Sequence, residues 1–374
     1  MTFALPAGRY GPLKSLDGGV LHVITGLHTG GAETQLASLA LANHRAGRAL
    51  AVASLIPGGI HRKRLADAGV PVVDLGMARG GWSWLGPWRL ARLIRALRPA
   101  AVQGWMYHAD LVATAAWLMS GQWRATRLFW GVRCSDLDLG RYGPGLARTV
   151  RLCALASRVP CAVVANAETG RAAHRALGYR ARAFPVIDNG IDSVRFRPDG
   201  EARRDVRARY AIAADAPLIA IVARVDPMKD YLTFIQALDR LPGVQALAIG
   251  ERTESLPEVP RLARLGRRDD VPALLAACDV IVSSSAFGEG FSNALAEGMA
   301  CALPAVATDA GDNARLVGGC GRIVPARDPV ALAAAVADVL ANDPAVLGRK
   351  ARARVVETFS VARMVEAFNR LHDR

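Results

Sequence analysis

Short apolar runs alternate with amphipathic stretches along most of this chain. Val20-Leu21-His22-Val23-Ile24 reads as a first strand, and residues 25–31 lead from it into a helix over 32–46. Further strands are expected at 49–56, 70–75, from 101 to near His108, 127–132 and 162–166. A second set follows at 218–224, 244–250, 279–283, 305–308 and 321–324. Strands that alternate with helices predict an α/β fold with parallel, doubly wound sheets. The polar turn at 188–192 is the natural boundary between a first domain, 1–187, and a second, 188–350. The amphipathic stretch 351–373 predicts a terminal helix, so 351–374 forms a third unit.

A length of 374 residues fits two domains. No apolar run reaches the roughly 18 residues of a membrane helix. Residues 1–14 contain no apolar signal core, so no secretory signal is expected. The 6 Cys have no paired or metal-ligand spacing and read as buried, reduced thiols in a cytoplasmic protein.

Charge changes the picture more. Residues 1–187 hold 23 Lys+Arg against 8 Asp+Glu, while 188–374 hold 24 against 25. The whole basic excess therefore lies in the first half, where it would attract an anionic membrane surface or nucleic acid. All 7 Trp lie there too, between Trp82 and Trp130. The Trp-rich turn at 80–88 leads into an Arg/Leu helix ending near Arg98, and a basic amphipathic stretch spans 141–158. The first reads as an interfacial anchor, and the second supports that reading. No helix-turn-helix, zinc-finger or RNA-binding signature is present, so nucleic acid is not the expected partner.

The chemistry concentrates at 287–300. Glu289 stands in a Gly-flanked turn, and Glu297 stands one turn into a helix beginning near Ser292 or Asn293. The N–H groups of Gly290, Phe291, Ser292 and Asn293 would face an anion, because a helix N-terminus favours one. An anion cradle with a carboxylate on each side suits a phosphate beside a polyol. Arg224 and Lys229 end a predicted strand and open the next turn, where two cations could stabilise a developing negative charge. The chain has only four Lys, so Lys229 points to a need for a compact ammonium. Gly30-Gly31 allows close backbone approach to a phosphate or an acceptor. It is not Gly-x-Gly-x-x-Gly, which disfavours a dinucleotide-dependent dehydrogenase. Glu33 reads as structural or acceptor-side. Asp136-Leu137-Asp138 imitates a metal motif but lies far from these segments, and no metal is expected.

Taken in order, the motifs resemble the retaining glycosyltransferases of family 4. Gly30-Gly31-Ala32-Glu33 looks like the family's glycine loop, and Asp188-Asn189-Gly190-Ile191-Asp192 like its interdomain turn. Arg224 to Lys229 resembles its Arg-x4-Lys clamp, 265–272 its base-binding turn, and Glu289 to Glu297 its Glu-x7-Glu signature. The resemblance implies the GT-B fold, two Rossmann-like domains facing across a cleft, with a terminal helix crossing back onto the first. It implies transfer of a sugar, with retention and without a metal or other cofactor, from a nucleotide-diphosphate sugar (UDP- ahead of GDP-). The acceptor would be a hydroxyl of a lipid-linked or other saccharide in surface polysaccharide assembly. Glu289 would then hold sugar hydroxyls, Glu297 the ribose, Arg224 and Lys229 the diphosphate, and Leu265 and Arg267 the base. His108 would lie near the anomeric carbon, with Asp110 a nearby competitor. The basic first domain implies a peripheral place on the inner face of the membrane. A nucleotide-sugar epimerase of the same fold lacks its acidic cluster here. A non-catalytic nucleotide-binding protein would tend to lose Lys229 or Glu289.

Overall fold

The structure, a computed structural model, describes residues 15–78, 85–135 and 143–373. The first sheet holds β1 (Val20–Ile24), β2 (Leu50–Ser54), β3 (Val72–Asp74), β4 (Ala101–Trp105), β5 (Arg127–Val132) and β6 (Ala162–Ala165). They run parallel in the order β3-β2-β1-β4-β5-β6. β1, β2 and β4 are buried at every position, because helices cover both faces of a parallel sheet. Those helices are α1 (Gly31–Arg45), α2 (Ile60–Asp67), α3 (Leu85–Leu97), α4 (Tyr107–Ser120), α5 (Pro144–Ala156) and α6 (Glu168–Ala176).

After α7 (Gly200–Arg209) the second sheet begins. It holds β7 (Leu218–Val222), β8 (Gln245–Ile249), β9 (Leu262–Arg264), β10 (Val280–Ser283), β11 (Ala305–Thr308) and β12 (Gly321–Val324). Its order is β12-β11-β10-β7-β8-β9, again parallel. Its helices are α8 (Tyr231–Asp239), α9 (Val271–Ala276), α10 (Asn293–Ala300), α11 (Asn313–Val317) and α12 (Pro329–Ala341). In each sheet the chain reverses its direction of growth once, between β1 and β4 and between β7 and β10. A crevice opens at such a switch point, outside the carboxyl ends of the strands. The four loops at these two crevices are those that follow Ile24, Trp105, Val222 and Ser283.

The final helix differs from expectation. The apolar period runs through residues 351–373, but the chain forms two helices, α13 (Pro344–Thr358) and α14 (Val361–Asp373). α13 packs on α10 in the second domain, and only α14 crosses to pack on α1. The break has a physical cause. Phe359 is buried edge-on against Phe291, and the backbone of Ser360 forms a parallel bridge with Ile191. The Ile191 N–H donates to the Phe359 carbonyl at 2.8 Å, and the Val361 N–H donates to the Ile191 carbonyl at 3.2 Å. The two covalent crossings between the sheets thus lie side by side. A Cβ at Gly190 would come within 2.8 Å of the Val361 Cα, so this approach requires glycine.

Three further expectations are corrected. β9 went unread because three residues carry too little pattern. Cys161 is exposed and Cys134 half-buried rather than buried, and none of the six Cys forms a disulfide among the described residues. The Trp residues divide: Trp105 and Trp130 are core, whereas Trp88 and Trp123 are exposed. Trp82, Trp84, Asp136, Asp138 and Arg141 lie outside the described residues.

Candidate active site

Lys229 is held by two aspartates. Asp226 accepts from the Met228 N–H at 2.9 Å and caps a 3-10 turn, Pro227–Lys229. Asp230, in the left-handed region at φ 45°, caps α8 by accepting from the Thr233 N–H and hydroxyl. The loop after β10 closes over this turn. Ser284 Oγ donates to the Lys229 carbonyl at 2.8 Å, and the Ala286 N–H donates to the Met228 carbonyl at 2.8 Å. Both strands of the second switch point are thereby joined at one place.

Glu289 completes that place. Its Oε2 accepts from Lys229 Nζ at 2.6 Å and from Ser285 Oγ at 2.7 Å. Glu289 is buried, and the Lys229 side chain is 19% exposed. A buried carboxylate needs such partners, since an uncompensated charge there is costly. Behind the turn, the Gly311 backbone lies so close that a Cβ there would be 1.8 Å from the Glu289 carbonyl oxygen. Gly311 also has φ +61°, which favours glycine independently.

Ser292 caps α10 with extended backbone, and Asn293 opens the helix. The N–H groups of Phe291, Ser292 and Asn293 have no acceptor among the described residues. Ser292 and Ala294 border a narrow recess whose other walls are Lys229, Ser283, Ser284, Ser285 and apolar side chains of β7, β10 and α10. Lys229, serine hydroxyls and the start of α10 thus meet at the mouth of one narrow recess, and donors of these kinds suit a phosphate. The Phe291 ring itself is core, packed on Phe359.

Other anticipated residues lie apart. Arg224 is exposed and its guanidinium pairs with the Asp226 carboxylate at 3.1 Å, whereas the Lys229 ammonium pairs with Glu289. Glu297 is half-buried on α10, and its carboxylate makes no hydrogen bond among the described residues. Burial pushes its carboxyl up to about 7, opposed in part by the Arg195 charge. His108 is the second residue of α4. Its exposed ring meets Thr149 Oγ1 at 3.4 Å on α5, and desolvation lowers its pKa. Asp110 is fully buried; its Oδ1 accepts from the Gly131 N–H at 3.3 Å, and burial raises its pKa well above the usual range. Asp110 therefore belongs to the β4–β5 seam and does not reach the cleft.

Several described residues of the first domain meet this site. Arg267 donates to Thr29 Oγ1 at 3.2 Å, beside Gly30. Gly31 faces Asn293, whose Nδ2 would lie 3.5 Å from a Cβ placed there. Ser135 Oγ would lie 2.8 Å from a Cβ on Gly290. Glu33 folds back so far that its carboxylate would clash with a Cβ on Gly30. Leu265 packs half-buried on the second core, with its N–H on the Ala248 carbonyl.

Sequence reasoning missed the network that docks the domains. Asp312 accepts from the Glu168 and Thr169 N–H groups at 2.9 and 3.0 Å and from the Thr169 hydroxyl at 2.8 Å, capping α6 of the other domain. Arg315 pairs with Asp312 and, in two-pronged fashion, with Asp188. Burial opposes the Asp312 charge, but the α6 amides, the Thr169 hydroxyl and Arg315 hold its pKa below the ordinary value. Asn293 Oδ1 accepts from Asn189 at 2.8 Å and Gln35 at 3.5 Å. Only the Asp188-Asn189 turn signalled any of this locally. Among the described residues, no three His, Cys, Asp or Glu side chains gather as a metal-binding group.

Residues 29–195 match the model of Glycosyltransferase Family 4, and residues 216–342 match that of Glycosyl transferases group 1. A D-inositol 3-phosphate glycosyltransferase of Mycolicibacterium vanbaalenii is 31% identical over 49% of this chain and 46% of its own length. The lipopolysaccharide core biosynthesis glycosyltransferase LpsE of Rhizobium meliloti is 33% identical over 35% of this chain and 39% of its own. The matched region spans under half the length of these curated relatives. Anabaena HepE, solved with UDP-glucose, superposes with TM-score 0.80 at 22% identity, covering 94% of this chain and 98% of that one. Sucrose-phosphate synthase of Thermosynechococcus elongatus superposes with TM-score 0.75 at 19% identity over 95% and 98%. These likenesses show the shared fold.

Proposed function

Since the chain is a glycosyltransferase related to family 4 with the GT-B fold, we propose that it moves a sugar from a nucleotide-diphosphate donor to an acceptor hydroxyl with retention. The observation that carries this reading is the Lys229–Glu289 pair beneath the unsatisfied amides that lead into α10, at the switch point of the second sheet. A phosphate seated at the mouth of the recess would accept from those amides and from Lys229. Glu289, released from its cation, would accept from the donor's sugar hydroxyls. The bond from the anomeric carbon to the diphosphate oxygen breaks, and the acceptor oxygen bonds to that carbon on the same face. The departing phosphate oxygen takes the acceptor's proton. Cationic and amide donors favour the charge that grows on that oxygen, so they stabilise the transition state above the ground state. Arg224 would have to leave Asp226 to join them, and its exposure permits that.

UDP is the preferred donor nucleotide in this reading, and the solved HepE complex with UDP-glucose supports it. The step calls on no metal. The acceptor is a lipid-linked saccharide of surface polysaccharide assembly, reached from the cytoplasmic face of the membrane. The LpsE relative and the basic first domain support that assignment.

Calorimetric titration with UDP and GDP tests the core of the proposal. One of them should bind, and Lys229→Ala should weaken it roughly 10- to 100-fold, the size of one lost charge-assisted bond. Equal binding by the variant would remove Lys229 from the site.

A further inference from the structure

Eight of the thirteen exposed large apolar side chains among the described residues lie on or beside α3, α4 and α5. These three helices carry the chain through β3→β4→β5→β6, on the side of the switch point where right-handed crossovers put them on one face of the first sheet. α4 packs against both of its neighbours. Leu118, Met119 and Trp123 stand at the end of α4, and Leu152, Leu155 and Val159 stand on and after α5. Leu155 is 82% exposed, more than any other large apolar residue described. Such clustering marks an interaction surface, because scattered single exposures would not concentrate on one face.

The charge on the same face is one-sided. Residues 85–161 contain eleven Arg and three Asp. Asp110 is fully buried, and Asp136 and Asp138 lie outside the described residues. Arg124, Arg148, Arg151 and Arg158 are exposed and have no carboxylate partner among the described residues. The Arg92 guanidinium lies 4.9 Å from the Trp88 ring centroid and that of Arg124 lies 4.6 Å from Trp123, pairing an amphipathic ring with a cation. A second copy of the chain would set arginine against arginine. A nucleic acid would leave the leucines in water.

We infer that the α3–α4–α5 face docks on an anionic phospholipid surface, with the leucines and tryptophans entering the headgroup layer and the arginines meeting lipid phosphates. This deepens the lipid-linked acceptor reading and rests on it for its purpose, but its test is separate. No single described helix is long and apolar enough to cross a membrane, so the contact is peripheral.

The test is co-sedimentation of the full chain with vesicles of phosphatidylglycerol and phosphatidylcholine, or of phosphatidylcholine alone, at physiological salt. Binding to the anionic vesicles only is expected. Each surface arginine contributes about fivefold in affinity, so Arg148→Ser with Arg151→Ser should cost on the order of 25-fold. Leu152→Ser with Leu155→Ser should reduce binding at unchanged net charge, which separates insertion from plain attraction. Thermal melting and UDP titration establish that each variant is folded. No sedimentation, equal sedimentation of the variants, or binding to duplex DNA that outcompetes vesicles would overturn the inference. Retained UDP binding alongside failed sedimentation would sink the docking face and leave the transferase reading standing.

Discussion

Glu289 is a residue whose burial is tolerable only in company. Lys229 and Ser285 satisfy one of its oxygens, and truncating Lys229 leaves a carboxylate without a counter-charge in the protein interior. Lys229→Ala should therefore lose about 3 kcal/mol of stability at neutral pH. Adding Glu289→Gln should restore much of it, read as midpoints in denaturant titrations. Failure of the second change to rescue the first would show that the pair is not coupled. Glu297 supplies a different test. With its carboxyl pushed up to about 7, it is protonated below that pH and charged above it. If it accepts from ribose hydroxyls, nucleotide affinity should fall as pH drops below about 7, and Glu297→Gln should flatten the profile. The turn and helix bearing both acids were legible because their Gly, Ser and Glu spacing is local. The Lys229–Glu289 contact, sixty residues apart in sequence, was not legible, since nothing in either segment names the other.

Among the elements, most strands were readable because a buried parallel strand is a nearly continuous apolar run. The terminal helix misled because its apolar period continues across Phe359-Ser360. Only the tertiary pairing with Ile191 shows that the chain must stop being helical there. Gly190 is the sharpest probe of that crossing. An added methyl would collide with the Val361 Cα, so Gly190→Ala should cost about 1–3 kcal/mol by overpacking. A thermal melt unchanged from the parent would mean that the crossing relaxes freely.

For the whole molecule, the interdomain seam depends on ionised Asp312. Its folded pKa lies below the ordinary 3.8. Its stabilisation is thus full above that ordinary value and is lost as pH falls through the lower folded one. Asp312→Ala should loosen the pair of domains at neutral pH by about 2 kcal/mol. Solution scattering should then show a larger radius of gyration, while the parent expands only in acid. Equal radii for parent and variant would assign domain closure to other contacts.

The crossing of α14 also orders events in time. Met364 and Phe368 belong to the same apolar cluster as Leu36, Leu39 and Trp105, so the first domain's core contains side chains from near residue 370. A ribosome makes those residues after the whole second domain. The second sheet can therefore finish packing during synthesis, while the face of α1 stays uncovered until the last stretch emerges. A fragment stopped at residue 187 would carry that bare face permanently. It should aggregate where the intact chain stays dispersed, and a peptide spanning Val361–Asp373 should protect it.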